Sequence, residues 1–305
     1  MKAKVQAPGS CGELVQGTIK EQNFLITCPI DLYSTVEVGP APKHPRMAAG
    51  VKTLAAVAKT AEYLAVAGKS FEVVVRSELP MGKGMASSSA DISAACQATA
   101  ATLGKLLTVD EIADIALSIE PTDGIFYTGV VMFDHVKGEL RRQLGAPPPM
   151  RIAVFDAGGE VDTLGFNQRT DLAGLNRKKE EAVAAAAELV IRGLAANDCS
   201  LIGRGATLSA LANQAILYKP CLQTLAELVP ALGAVGLNVA HSGTVLGILF
   251  AEKDSWRIPA AVAVVRKVCP DIEYLHTVRF ISGGLTLQYG GMPDGKNTGS
   301  WRQSL

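Results

Sequence analysis

The chain lacks closely spaced cysteine pairs and an excess of charge of either sign, and each absence argues against a class of protein. Its 305 residues carry 29 Lys plus Arg against 29 Asp plus Glu, so no overall field gathers nucleic acid or an anionic membrane. The six cysteines include no C-x-x-C pair, which argues against a zinc ribbon or a disulfide framework and favours reduced thiols. The expected partner is therefore a small molecule, with no nucleic acid and no membrane.

Long apolar runs are also missing. The N-terminal residues hold no uninterrupted apolar region, and no stretch approaches about 18 apolar residues, so we expect neither secretion nor membrane spanning. The cytoplasm is the expected location, and the sequence leaves a homodimer open. A hydrophobic share of 48% over this length predicts a sizeable core divided between two domains.

The first half of the chain mixes strand and helix patterns. Alternating apolar residues predict strands at 23–38 and 71–79, with an Ala-rich helix at 52–68 between them. A second helix is predicted to begin at Ser88, capped by its serines, and to end near Gly104. A third is predicted at 108–120, because its first residue is Thr and Glu follows three positions later, which is a capping box.

Three consecutive prolines at 147–149 predict a linker, because proline fits neither a helix interior nor a central strand. We therefore expect an N-terminal domain at 1–147, a C-terminal domain at 148–290 and a flexible tail at 291–305. Near the end of the second domain, residues 274–280 and 284–290 are predicted to pair with each other as antiparallel strands.

The segment PMGKGMASSSA at 80–90 places two glycines around a lysine and three serines at the start of a helix. A Walker A loop fails at AGKS, residues 67–70, because Tyr63 stands where the first glycine should be. A G-x-G-x-x-G fingerprint fails in 80–90, because Gly82 and Gly84 are followed by Ser87. A glycine loop before a helix can still hold a polyphosphate, since the helix offers unpaired N–H groups and a positive dipole end. A serine cap after a glycine turn is the open alternative.

Three motifs, in order, resemble those of the GHMP kinases. Residues 80–90 are similar to the second motif, P-x-G-x-G-L-x-S-S-A, with Met85 in place of Leu and Ser89 in place of Ala. APGSCGEL at 7–14 resembles a shortened first motif, and HSGTVLGILF at 241–250 resembles the third with fewer glycines. The chain is therefore identified as a member of this family.

Within that family, three further segments resemble the branch of L-threonine kinases of cobalamin (coenzyme B12) biosynthesis. They are PGSCGELVQG at 8–17, EPTDGIFYTGVVMFDH at 120–135 and GRGATLSALANQ at 203–214. The branch implies transfer of the γ-phosphoryl group of ATP to the side-chain hydroxyl of L-threonine, giving O-phospho-L-threonine. Two alternatives stay open, which are another acceptor such as homoserine and a non-catalytic regulator that binds ATP or a metabolite.

The resemblance also implies an architecture and a set of ligands. It implies an α+β, two-domain GHMP kinase fold, with an N-terminal domain like ribosomal protein S5 domain 2 and a ferredoxin-like C-terminal domain. ATP would lie between the two domains, with Mg²⁺ as the metal. Phosphoryl transfer needs a positioned acceptor hydroxyl, a held metal ion and spread charge on the γ-phosphate, so oxygen-bearing side chains are expected near the loop.

The implied site residues form four groups. The phosphate loop comprises Pro80, Met81, Gly82, Lys83, Gly84, Met85, Ala86, Ser87, Ser88 and Ser89. Asp123 takes the position of the family's catalytic aspartate, while Ser88 and Glu120 are the metal candidates. The substrate candidates are Glu13 and Asp31 for the ammonium, Arg204 for the carboxylate, and His241 and Ser242 in the pocket. Ordinary structural roles stay open for each acid, the arginine and the histidine.

Overall fold

The computed structural model describes residues 2–41, 47–66, 68–159, 165 and 169–289. Its strands are β1 (Ala3–Ile19), β2 (Gln22–Pro40), β3 (Met47–Ala48), β4 (Phe71–Ser77), β5 (Val130–Phe133), β6 (Arg141–Gly145), β7 (Met150–Asp156), β8 (Gly236–Val239), β9 (Val245–Ala251), β10 (Glu273–Phe280) and β11 (Thr286–Tyr289). Its helices are α1 (Val51–Tyr63), α2 (Ser87–Thr102), α3 (Val109–Leu117), α4 (Leu172–Ala196), α5 (Cys199–Ala212), α6 (Leu222–Leu232) and α7 (Ile258–Val268).

The hairpin of β1 and β2 joins two layers of the molecule. The two strands pair along almost their whole length, with irregularities between Pro8 and Val15 that bend β1. Near their outer ends, β1 pairs with β11 and β2 pairs with β4. Near the turn, β2 pairs with β5. One long hairpin therefore pairs with different strands at its two ends.

Helix α2 lies against this hairpin and is buried on most of its surface. Eleven of its residues are buried, and most are Ala, Ser or Thr. Small side chains let a helix approach a sheet closely, and here they form one apolar core with α1, α3 and the outer halves of β1 and β2. The start of α2 is thereby held firmly beside β1.

The C-terminal half forms a ferredoxin-like layer. Strands β8, β9, β7 and β10 lie in that order and pair antiparallel. The chain runs from β7 through helices to β8 and β9, and then through α7 to β10, which is the β-α-β-β-α-β order of that motif. The predicted ferredoxin-like architecture is confirmed.

The structure corrects two local predictions. Strands β10 and β11 do not pair with each other, because β10 pairs with β7 and β11 pairs with β1. In the segment between them, Ile281 N donates a hydrogen bond to Pro29 O of β2. The serines do not cap α2, because its N-cap residue is Ala86 and no side chain caps that end. By contrast, the capping box of Thr108 and Glu111 at α3 is confirmed.

Other predictions concern the limits of the chain. The prolines at 147–149 lie in the connection between β6 and β7, while the division into domains there stays a prediction. The predicted tail at 291–305 lies outside the described residues. No helix in the described ranges is long and apolar enough to cross a membrane.

Candidate active site

A cleft of about 490 Å³ opens at the start of α2. Most of its walls come from the loop and helix start at 81–91, the first turn of α1, the 120–123 segment after α3, and the loop between β8 and β9. Leu25 of β2 and His135 after β5 complete them. The lining residues that carry polar groups include Lys52, Ser87, Ser88, Ser89, Asp91, Glu120, Asp123, His135, His241 and Ser242.

The N-terminus of α2 faces this cleft without a side-chain cap. Ala86 takes a left-handed conformation, with φ of 56°, and its carbonyl accepts the first helical hydrogen bond from Ala90 N. Gly82 and Gly84 before it have φ of 72° and 81°, values that glycine adopts at little cost. The first N–H groups of α2 therefore meet the cleft with the positive end of the helix dipole behind them.

Two serines of α2 contact carboxylates instead of the helix backbone. The Ser88 hydroxyl donates to Glu120, a buried residue whose other carboxylate oxygen pairs with Lys52 Nζ. Ser89 Oγ lies 3.4 Å from Asp123 Oδ2 and accepts a hydrogen bond of 3.1 Å from Asp123 N. These contacts fix the segment after α3 against the start of α2.

The carboxyl group of Asp123 titrates unusually high. Burial, with repulsion from Glu120 second, raises its pKa to about 6, although the Ser89 hydroxyl opposes the shift. Behind it, burial first and the charge of Asp123 second raise the pKa of Glu13 well above its ordinary value. A carboxylate with a pKa near neutrality can both carry charge and take a proton at physiological pH.

Two histidines form the other end of the cleft. The rings of His135 and His241 meet edge to face, with centroids 4.9 Å apart, and His241 Nδ1 lies 3.0 Å from Gln16 Oε1. Burial, followed by the nearby His135, Lys179 and Lys219, lowers the pKa of His241. The His241 ring is therefore neutral at physiological pH.

A second cavity of about 490 Å³ adjoins the cleft at these histidines, which line both. Its other polar residues include Thr18, Glu21, Asn23, Arg169, Asn176, Arg177 and Glu180. Beside it, Lys179 Nζ donates to Gln16 O at 3.1 Å and to Asn213 Oδ1 at 2.7 Å, and burial lowers the pKa of this lysine to about 7. The second cavity is therefore polar and carries charges of both signs.

The structure brings most of the predicted site residues to the cleft. Asp123, Glu120, His241, Ser242 and nearly all of the loop line it, and Glu13 lies buried next to Asp123. Asp31 does not, because its carboxylate binds the backbone and side chain of Arg279. Arg204 is exposed on α5 and lines neither cavity.

Among the titratable residues that line the cleft, sequence reasoning missed Lys52, Asp91 and His135. Asp91 lies three residues after Ser88, and this helical spacing could have placed both on one face. Its carboxylate accepts a hydrogen bond from the Ser34 hydroxyl. Lys52 and His135 had no local signal, because the contacts that define them join residues distant in sequence.

Comparison with known proteins adds independent findings. Residues 51–129 match the GHMP kinases N terminal domain. The chain is 34% identical to an L-threonine kinase of Salmonella typhimurium over 298 residues, which cover 94% of this chain and 96% of the relative. It is 32% identical to an L-threonine kinase of Citrobacter freundii over 296 residues, with 94% and 100% coverage.

Solved structures agree on the fold. A homoserine kinase from Cytophaga hutchinsonii superimposes with a TM-score of 0.67 at 18% identity, covering 94% of this chain and 97% of that chain. At such identity the likeness shows the fold alone, and it confirms the fold class that the sequence predicts.

Proposed function

The chain belongs to the GHMP kinase family, and from this premise we propose that it transfers the γ-phosphoryl group of ATP to the side-chain hydroxyl of L-threonine. Two relatives named L-threonine kinases align over almost their whole length, which supports this acceptor. Homoserine is the alternative acceptor. A role in cobalamin biosynthesis, a cytoplasmic location and a homodimer stay predictions from the sequence.

The observation that carries the proposal is the uncapped start of α2 beside Asp123. Triphosphates bind well at a helix N-terminus, because free N–H groups and the helix dipole both favour negative charge. Here the serines that could have closed this end are turned to Glu120 and Asp123 instead. The proposed phosphate site at the start of α2 and the proposed catalytic carboxylate of Asp123 are thus adjacent, joined through Ser89.

The contact between Ser88 and Glu120 offers oxygen ligands for Mg²⁺. Ser88 and Glu120 supply a hydroxyl and a carboxylate oxygen, which are the hard ligands that Mg²⁺ accepts, and Mg²⁺ usually completes its shell with phosphates and water. No cluster of three or more His, Cys, Asp or Glu residues suited to a metal occurs in the described part of the chain. When bound, Mg²⁺ neutralises charge on the phosphate oxygens.

Asp123 is the proposed partner of the acceptor hydroxyl. It lines the cleft, and with a pKa of about 6 it is mostly ionised at neutral pH, so it can orient the hydroxyl and receive its proton. The acceptor would then lie between Asp123 and the histidine pair, with its charged groups toward the polar second cavity. Arg169 lines that cavity, and although its guanidinium already binds Asp171 and donates to Ile216 O, we propose it in place of Arg204 as the partner of the acceptor carboxylate.

An acceptor panel tests the function. ADP release is measured with ATP, Mg²⁺ and L-threonine, L-serine or L-homoserine. One methyl group is worth about 1–3 kcal/mol in a pocket, so L-serine should remain a substrate roughly 10- to 200-fold poorer in kcat/KM. A preference for L-homoserine would replace the acceptor, and no amino-acid-dependent ADP release would favour a regulator.

A further inference from the structure

The phosphate loop at 80–86 is attached to the C-terminal layer by its backbone. Lys83 O accepts hydrogen bonds from Thr244 N at 2.9 Å and Val245 N at 3.1 Å, at the start of β9. Gly84 and Gly243 touch so closely that a β-carbon on Gly243 would lie 2.3 Å from Gly84 Cα. The loop conformation therefore depends on residues about 160 positions away.

The side chain of Lys83 strengthens this attachment. Lys83 is not among the residues that line the cleft. Its Nζ lies 2.8 Å from Asp156 Oδ2 and donates to Gly159 O at 2.9 Å, so it contacts the end of β7. Lys83 thus joins the loop to β7 by its side chain and to β9 by its carbonyl.

Asp156 is suited to bind the ammonium group of Lys83. Its side chain is only 7% exposed, compared with 24% for Lys83, so the pair is partly shielded from water and stronger than a typical surface pair. Burial would raise the pKa of Asp156, but hydrogen bonds, led by that from Lys83, bring it below its ordinary value. The buried Lys219 adds a second positive charge, and its Nζ donates to Gly243 O.

We propose that Lys83 and Asp156 form a clasp that holds the phosphate loop on β7 and β9, and that Lys83 is a positioning residue for the nucleotide instead of a phosphate ligand. The clasp keeps Gly82 and Gly84 in the left-handed conformations that lead into the open N-terminus of α2. This inference rests on the proposed function, because the nucleotide is taken to bind at that helix end. It assigns Lys83 a role that differs from direct contact with ATP.

A double-mutant cycle separates the two roles of Lys83. Lys83→Met, Asp156→Asn and the double variant are titrated with a non-hydrolysable ATP analogue and Mg²⁺, and KM for ATP and kcat are measured. Each single variant should weaken analogue binding about tenfold, and the double variant should lose no more, because the pair acts as a unit. We expect KM for ATP to rise while kcat changes less than about threefold, and Lys83→Arg to restore most of the affinity.

A phosphate-ligand role gives the opposite pattern. Lys83→Met would then weaken binding alone, while Asp156→Asn would leave affinity unchanged or improve it by releasing the lysine. That result would overturn the clasp. The matched control is Arg151→Met with Glu252→Gln, an ion pair that joins β7 to the end of β9 far from the loop, and it should not change affinity.

Amide hydrogen exchange tests the clasp without nucleotide. In Lys83→Met the amides of Thr244 and Val245, which donate to Lys83 O, should exchange faster than in the parent protein. The milder Lys83→Gln keeps the test usable if Lys83→Met does not fold. Unchanged exchange at both amides would overturn the clasp even if ATP binds, whereas failure of the parent protein to bind the ATP analogue would refute only the proposed function.

Discussion

Replacing Asp123 by Asn should slow the enzyme and stabilise the protein. The carboxyl group of Asp123 is half-buried beside Ser89, with Glu120 and Glu13 close enough to repel it. Asn keeps the shape and a hydrogen-bond acceptor for Ser89, but it carries no charge. The folded protein therefore no longer bears the cost of an ionised carboxylate among other acids.

The size of this gain follows from the pKa of Asp123. Burial and Glu120 raise the pKa from 3.8 to about 6, a gap worth about 3 kcal/mol at 1.36 kcal/mol for each pH unit. The pKa of Asp123 is higher in the folded protein than in the unfolded chain. Its contribution to the free energy of unfolding is therefore fully present below pH 3.8 and is lost as pH rises through about 6. The advantage of Asp123→Asn should therefore grow with pH, to roughly 5 °C in Tm for a chain of this length.

Thermal unfolding followed by circular dichroism between about pH 5 and pH 8 measures the effect. Asp110→Asn is an opposite-sign control, because a hydrogen bond from Tyr127 lowers the pKa of Asp110, and this variant should lose stability above the unfolded pKa. A Tm advantage of Asp123→Asn that does not grow with pH would refute the reasoning about burial. In the same variant kcat should fall by about 10²- to 10⁴-fold, and near-normal kcat would reduce Asp123 to a turn acid.

Three further predictions concern the same cleft. Below about pH 6, kcat/KM should fall because protonated Asp123 cannot accept the hydroxyl proton, and ADP release across pH measures this. Ser88→Ala should raise the Mg²⁺ concentration needed for half-maximal activity, since one oxygen ligand is lost, whereas an unchanged Mg²⁺ titration would exclude Ser88 as a ligand. Gly84→Ala should lower both Tm and ATP affinity, because its β-carbon would lie 2.5 Å from that of Ala240. Gly68→Ala is the control, because a β-carbon there meets no atom within 4 Å, and titration calorimetry should show unchanged ATP affinity.

Local signals in the sequence predicted local structure well. The capping box of Thr108 and Glu111 needs only residues three apart, and the structure contains it. The start of α2 was also predictable from its glycines and its small residues. Strand β1 was not predicted, because its prolines, glycines and bulges hide the alternation that marks a strand.

Long-range contacts decided what the sequence could not. From their position, Ser88 and Ser89 looked like helix caps. Their partners in the structure are acids 32 and 34 residues away, and only the resemblance to the family had grouped Ser88 with Glu120. Asp31 looked free to bind a substrate because Arg279 lies 248 residues further along the chain. In both cases the fold supplies a partner that the neighbouring residues in the sequence do not indicate.

The acids around Asp123 support the proposal that this region is the active site. Glu13, Glu120 and Asp123 lie close enough together to repel one another, and Lys52 forms an ion pair with Glu120. A core selected for stability would replace such acids by apolar residues, since buried carboxylates near one another cost free energy. Ligands that bring positive charge or a hydroxyl proton would relieve this cost. Without such ligands the cleft is therefore less stable than its packing allows, which supports the proposal that it binds a metal-bound phosphate beside an acceptor hydroxyl.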